Sequence, residues 1–187
     1  MSTQSIVWRS DYLTGHEYCR VYWEDEHWHV IGAAVFSKDN QPSWLEYLVE
    51  CDPLWVTLGA NVSGWVGEQE IDLEITVDQD QVWILNGVEQ PLVKGCIDID
   101  LNFSPATNLL PIRRCALEVG EEAEVRAAWL KFPSFKFELL DQKYKRTEET
   151  TFRYESGGGK FIADLKVNSF GLVTSYPGIW EQVSDVR

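Results

Sequence analysis

"EIDLEITV", residues 70–77, decides the fold class. Ile71, Leu73, Ile75 and Val77 alternate with Glu70, Asp72, Glu74 and Thr76, a period of two that sets one apolar row on a core and one polar row in water. This is the pattern of a half-buried antiparallel strand; helical apolar residues would recur at three and four. After the polar turn "DQDQ" (78–81), "VWILNGV" (82–88) reads as its hairpin partner. Asn86-Gly87 closes it, a dipeptide that accepts the positive φ of a tight turn.

The pattern extends in both directions. "EYCRVYW" (17–23) and "HWHVIGAAVF" (27–36) are two further strands, separated by the acidic turn Glu24 to Glu26. In "WLEYLVEC" (44–51), Leu45, Tyr47, Val49 and Cys51 share a face. "TFRYES" (151–156), the glycine tip 157–159 and "KFIADLKV" (160–167) form another hairpin, with Phe161, Ala163, Leu165 and Val167 on one side. Together these predict a mainly β protein, a large antiparallel sheet with one oily and one polar face. Two segments carry helical signals. "SPATNLL" (104–110) has Ser104 as N-cap and Pro105 at the first helical position, with Pro111 restricting its length. "GEEAEVRAAWLKFP" (120–133) fits both periods, so periodicity leaves helix and strand open there.

The chain has 187 residues, enough for one sizeable core, and no low-complexity linker divides it; residues 1–187 are read as a single domain. Nine Trp, seven Tyr and eight Phe exceed ordinary usage and must be buried, shared with a partner or spent on a ligand. A net charge of -14 repels phosphate backbones and anionic membrane surfaces, which argues against nucleic acid as a partner. The longest apolar run, "VIGAAVF" (30–36), is too short to cross a bilayer, and the first residues carry no secretory h-region, which places the protein in the cytoplasm. Cys19, Cys51, Cys96 and Cys115 lack C-x-x-C spacing and lie in or beside apolar runs, as buried free thiols do.

The chemistry concentrates in "GCIDIDLNFSPATNLLPIRR" (95–114). Strand alternation puts Cys96, Asp98, Asp100 and Asn102 on one face and Ile97, Ile99, Leu101 and Phe103 on the other. The two acids then stand about 6.5–7 Å apart at the backbone, overlapping the roughly 6.5–9.5 Å carboxyl separation of inverting glycosidases. Otherwise they are the wet face of a sheet. Thr107 and Asn108 add hydroxyl and amide groups beside a helix start, and Arg113 and Arg114 can pair with carboxylates or an anionic ligand. In strand geometry one arginine would face each side. Sugar hydroxyls suit such acids and amides, while pyranose faces pack on rings such as Trp55, Tyr144, Tyr154, Tyr176 and Trp180. His27 and His29 share a strand face without a third ligand at recognisable spacing, and read as an edge-strand pair. "ESGGGK" (155–160) lacks Walker spacing and is a hairpin tip. No metal or cofactor is expected, and no nucleophile motif is present.

The same 95–114 stretch, with "DQKYKR" (141–146), "RYES" (153–156) and "GLVTSYPGIW" (171–180), resembles the bacterial putative glycolipid-binding family, formerly a domain of unknown function. The likeness runs over nearly the whole chain and includes Glu17 and "YLVECDPLW" (47–55). It departs around Trp55, where arginines are expected nearby but Leu48, Val56 and Leu58 stand. The resemblance implies antiparallel strands curved around a single helix, strand for "EVRAAWLKF" (124–132), helix for "SPATNLLP" (104–111), a homodimer and a remote likeness to lipoprotein-carrier (Lol-type) folds. It further implies an acidic pocket for sugar-bearing lipid. The leading expectation is a non-catalytic glycolipid-binding or carrier protein, with Glu17, Trp55, Asp98, Asp100, Thr107, Asn108, Arg113, Arg114, Tyr144, Tyr154, Tyr176 and Trp180 as ligand contacts. A hydrolase using the paired carboxylates and a dimeric protein-interaction scaffold are the alternatives.

Overall fold

The computed structural model describes residues 3–184. The alternating segments form two meanders. The first runs through β1 (Gln4–Ser10), β2 (Gly15–Glu24), β3 (His27–Lys38), β4 (Gln41–Cys51), β5 (Thr57–Val66), β6 (Gln69–Val77), β7 (Trp83–Leu85) and β8 (Val88–Glu89). The chain then crosses the concave side through β9 (Asp98–Asp100) and α1 (Leu109–Cys115). The second meander follows as β10 (Glu122–Lys131), β11 (Lys136–Glu148), β12 (Thr151–Ser156), β13 (Phe161–Val167), β14 (Val173–Tyr176) and β15 (Trp180–Ser184). β1 and β15 pair antiparallel, Trp8 opposite Gln182, and so join the two meanders into one fifteen-stranded sheet.

This is the expected antiparallel sheet curved around one short helix, with one exception: β9 runs parallel to β10, Asp98 opposite Ala127 and Asp100 opposite Trp129. No ladder closes the sheet into a barrel. The segment leading into β9 is instead stitched to the first meander by single bonds: the Thr57 amide donates to the Ile97 carbonyl at 3.1 Å, the Trp83 indole to the Cys96 carbonyl at 3.0 Å, and the Gly95 amide to the Gln81 carbonyl at 2.9 Å. The Thr57 and Trp83 bonds satisfy groups that burial would otherwise orphan. The β7–β8 turn is Asn86-Gly87 with both φ values positive, the geometry that matches strand twist. β3 lies between β2 and β4, so His27 and His29 are not on an edge strand. His27 pairs with Glu50, His29 stacks on Tyr22, and no group of three potential metal ligands occurs among the described residues.

β10 explains why periodicity left 120–133 open. Val125 packs into the second meander's core, Ala128 and Leu130 pack into the first's, and Ala127 is buried as well. A strand buried on both sides loses the polar half of its alternation and takes on helix-like apolar spacing.

The helix differs from the expectation in place and in cap. A 3-10 turn covers Ala106–Asn108 and α1 follows at Leu109–Cys115, with Asn108 rather than Ser104 at its start. Pro111 sits in the first turn, where the missing N–H would have had no helical acceptor, so it permits the helix it was expected to stop. Leu109 and Leu110 are fully buried against the concave sheet, a contribution of about 1.5–3 kcal/mol each that anchors so short a helix. Arg113 and Arg114 are therefore helical neighbours, splayed about 100° apart rather than on opposite faces of a strand.

Candidate functional site

The splay sends the two arginines to different partners. Arg114 forms a bidentate pair with Asp98, Nε to Oδ1 at 3.0 Å and Nη2 to Oδ2 at 2.5 Å, and Asp98 is only 1% exposed. Burial pushes the Asp98 carboxyl up, and the guanidinium pulls it back. Arg113 instead lies over the rings of Phe170 and Trp55, at 5.0 and 5.6 Å. The cation beside Trp55 thus comes from the helix rather than from neighbours of Trp55 in sequence. Trp55 itself is buried and stacked on Trp28 at 4.6 Å.

Asp100, two residues along from Asp98, is only partly buried and has no cationic partner among the described residues. It accepts from Gln142 Nε2 at 2.8 Å, and the same nitrogen contacts Tyr154 Oη at 3.1 Å. Burial pushes its carboxyl up to about 6 against that one hydrogen bond. The two acids therefore do not form the wet sheet face that alternation predicts, nor a facing catalytic pair. Asp98 is held by Arg114, and only Asp100 opens into a cleft.

That cleft, of about 500 Å³, lies between the segment 100–108 and the second meander. Asp100, Asn102, Ser104 and Asn108 supply its polar wall. Tyr154, Phe161 and Tyr176 make a triangle of rings with centroids 6.0–6.1 Å apart. Trp129, Trp180 and the exposed Tyr12 complete the aromatic lining. A cleft of this size with few polar groups among aromatics suits a small amphipathic ligand.

Of the twelve sequence candidates, Asp100, Asn108, Tyr154, Tyr176 and Trp180 line the cleft. Tyr144 lies behind it, donating to Asn108 Oδ1 at 2.9 Å. Thr107 accepts from the Leu101 amide and ties the turn to the strand end. Asp98, Arg113, Arg114 and Trp55 lie outside the lining. Glu17 sits one layer below: it is 1% exposed and accepts from Ser104 Oγ at 2.5 Å and Tyr47 Oη at 2.6 Å. Its second oxygen has no partner, and burial pushes the carboxyl up to about 8. Trp129, Phe161 and Ser104 were absent from the sequence candidates. The alternation of Val125, Ala127 and Trp129 was the available signal for the first of them.

A curved sheet around one helix thus carries a polar-and-aromatic cleft of a size that suits a small molecule. The chain belongs to the family described as "putative glycolipid-binding", which matches residues 5–182. The crystal structure of a DUF1089 family protein from Pseudomonas aeruginosa is similar at 30% identity and a TM-score of 0.77, covering 89% of this chain and 92% of that one. No curated protein matches the sequence.

Proposed function

We propose that this protein binds, without transforming it, a sugar-bearing amphiphile in the cleft between Asp100 and the Tyr154–Phe161–Tyr176 triangle. The observation that carries the reading is Asp100: a partly buried carboxylate, oriented by Gln142, free of any cation among the described residues, and surrounded by rings. Such an acid accepts from sugar hydroxyls, and the rings receive the apolar face of a pyranose or the first carbons of a lipid. The family description supports the same ligand class.

A carrier role and a remote kinship with lipoprotein carriers rest on the cupped sheet. The homodimer belongs to the proposal too, supported by Tyr18, Val35 and Trp65, which β2, β3 and β5 leave exposed. Three fully buried free thiols, Cys19, Cys51 and Cys96, support residence in the cytoplasm. Among the described residues no helix is long and apolar enough to cross a membrane.

Titration with octyl glucoside, free glucose and an uncharged alkyl ether below their micellar concentrations tests the binding. A ligand at 100 times its dissociation constant adds about 2.7 kcal/mol, or roughly 5–10 °C in melting temperature for a chain of this length. The glycoside should exceed both controls. No shift with any sugar-bearing amphiphile would sink the proposal.

A further inference from the structure

A second pocket, of about 420 Å³, lies beside the C-terminal half of α1 and shares no lining residue with the aromatic cleft. Two guanidinium groups line it, Arg113 from α1 and Arg146 from β11. In a chain of net charge -14, four of the seven described arginines, Arg9, Arg114, Arg126 and Arg153, each pair with a carboxylate. Arg113 and Arg146 pair with none among the described residues, although Glu149 stands on the same rim.

Both groups are held in place by contacts that leave donors over. Arg146 gives Nη1 to the Leu117 carbonyl at 2.8 Å, and Nη2 and Nε to the Glu149 carbonyl at 2.6 and 3.2 Å. Three of its five N–H donors are used, and two remain. Arg113 lies over the Phe170 and Trp55 rings and makes one long bond, 3.4 Å, to the Phe170 carbonyl. The facing loop is equally fixed. Asn168 Oδ1 accepts from the amides of Phe170, Gly171 and Leu172, all at 3.0 Å, and Gly171 takes a positive φ against the Arg113 side chain. No hydrogen bond among the described residues engages the Asn168 amide nitrogen or the Ser169 hydroxyl, and both residues line the pocket. Ile112, Leu117, Phe152 and Val167 form an apolar floor.

We infer that this pocket is an anion subsite for a phosphate-type oxyanion, held by Arg113 and Arg146 with Asn168 and Ser169 as neutral donors. Planar guanidiniums match the oxygens of phosphate in pairs, and groups fixed before binding lose little freedom on binding. The source of the anion is either free phosphate or the phosphate of a lipid headgroup. The inference does not depend on the sugar reading of the aromatic cleft.

The test uses the intact protein. Inorganic phosphate is titrated calorimetrically, and vesicles of phosphatidylglycerol are compared with vesicles of phosphatidylcholine by sedimentation. Binding of inorganic phosphate assigns a free-anion site; binding of phosphatidylglycerol vesicles alone assigns a headgroup site. In either case Arg113→Gln weakens the interaction by about tenfold or more, the worth of one charge-assisted contact, whereas Arg153→Gln leaves it unchanged. In the wild-type protein, the anion that binds should slow phenylglyoxal modification of Arg113 but not of Arg153, a readout that does not depend on the variant folding. Absence of binding to both probes, or equal effects at Arg113 and Arg153, overturns the assignment. Octyl glucoside binding is measured in parallel, and its loss or retention bears only on the other site.

Discussion

The Tyr47 phenol lies across Gly32 and donates a 2.6 Å hydrogen bond to Glu17, linking β4 to β2 over the glycine of the strand between them. A Cβ at position 32 would fall inside the van der Waals shell of the Tyr47 ring and 2.6 Å from the Tyr18 carbonyl oxygen. Neither the backbone oxygen nor a fully packed ring can yield cheaply. Gly32→Ala should therefore destabilise by about 3 kcal/mol, the upper end for overpacking, read as a lower urea midpoint with unchanged slope.

Glu17 titrates in the unfolded chain near 4.5 and in the folded one near 8. Between those values the folded state holds a proton that the unfolded state has released, so stability is fullest at and below pH 4.5 and falls as pH rises toward 8. Asp100, raised to about 6, adds a fall in the same direction at lower pH. Glu17→Gln removes the first contribution while keeping an acceptor for Ser104 and Tyr47. The stability of wild type relative to Glu17→Gln should drop by on the order of 3–5 kcal/mol from pH 5 to pH 9, measured by urea unfolding at both. A pH-independent difference would show that Glu17 is ionised in the fold.

The Asp98–Arg114 pair should behave as a buried charge pair whose halves are useless alone. Arg114→Met leaves a carboxylate 1% exposed without a partner, a loss of about 3–5 kcal/mol. Adding Asp98→Asn to that variant should recover at least about 1 kcal/mol, and a denaturant double-mutant cycle measures the coupling. Additive single effects would mean that the pair does not hold the helix to the strand.

The strands were legible in the sequence wherever one face meets the core and the other meets water, as in β4, β6 and β13. Periodicity left β10 open, where both faces are covered, and it read β9 as a strand without its shortness or its parallel pairing. Legibility failed at α1 because a proline in a first turn and a proline that ends a helix look alike in sequence. In the site, Asp100 and Asn108 stood out as polar groups beside a turn. The Glu17–Tyr47–Ser104 cluster could not, since its members are 30 and 87 residues apart from Glu17 and meet only through strand register. The parting of Arg113 from Arg114 likewise follows from the helix that carries them.

That parting separates two acids that alternation had treated as equivalent. Both Asp98 oxygens accept from Arg114, whereas Asp100 has one bond from Gln142 and faces the ring-lined cleft. Asp98→Asn should lower stability by about 1–3 kcal/mol, because Arg114 loses its counter-charge but still reaches water. Its affinity for octyl glucoside should stay within about twofold of wild type, since no ligand contact is removed. Asp100→Asn should do the reverse. It exchanges a charged acceptor for a neutral amide and relieves a carboxyl that burial already disfavours, so the melting temperature holds or rises. The glycoside dissociation constant should increase roughly tenfold to a hundredfold, the range for one hydrogen bond to a charged group. Calorimetric titration of both variants beside their melting curves decides the matter. Were Asp98→Asn the variant that loses binding while keeping its stability, the ligand would sit against α1 rather than in the aromatic cleft.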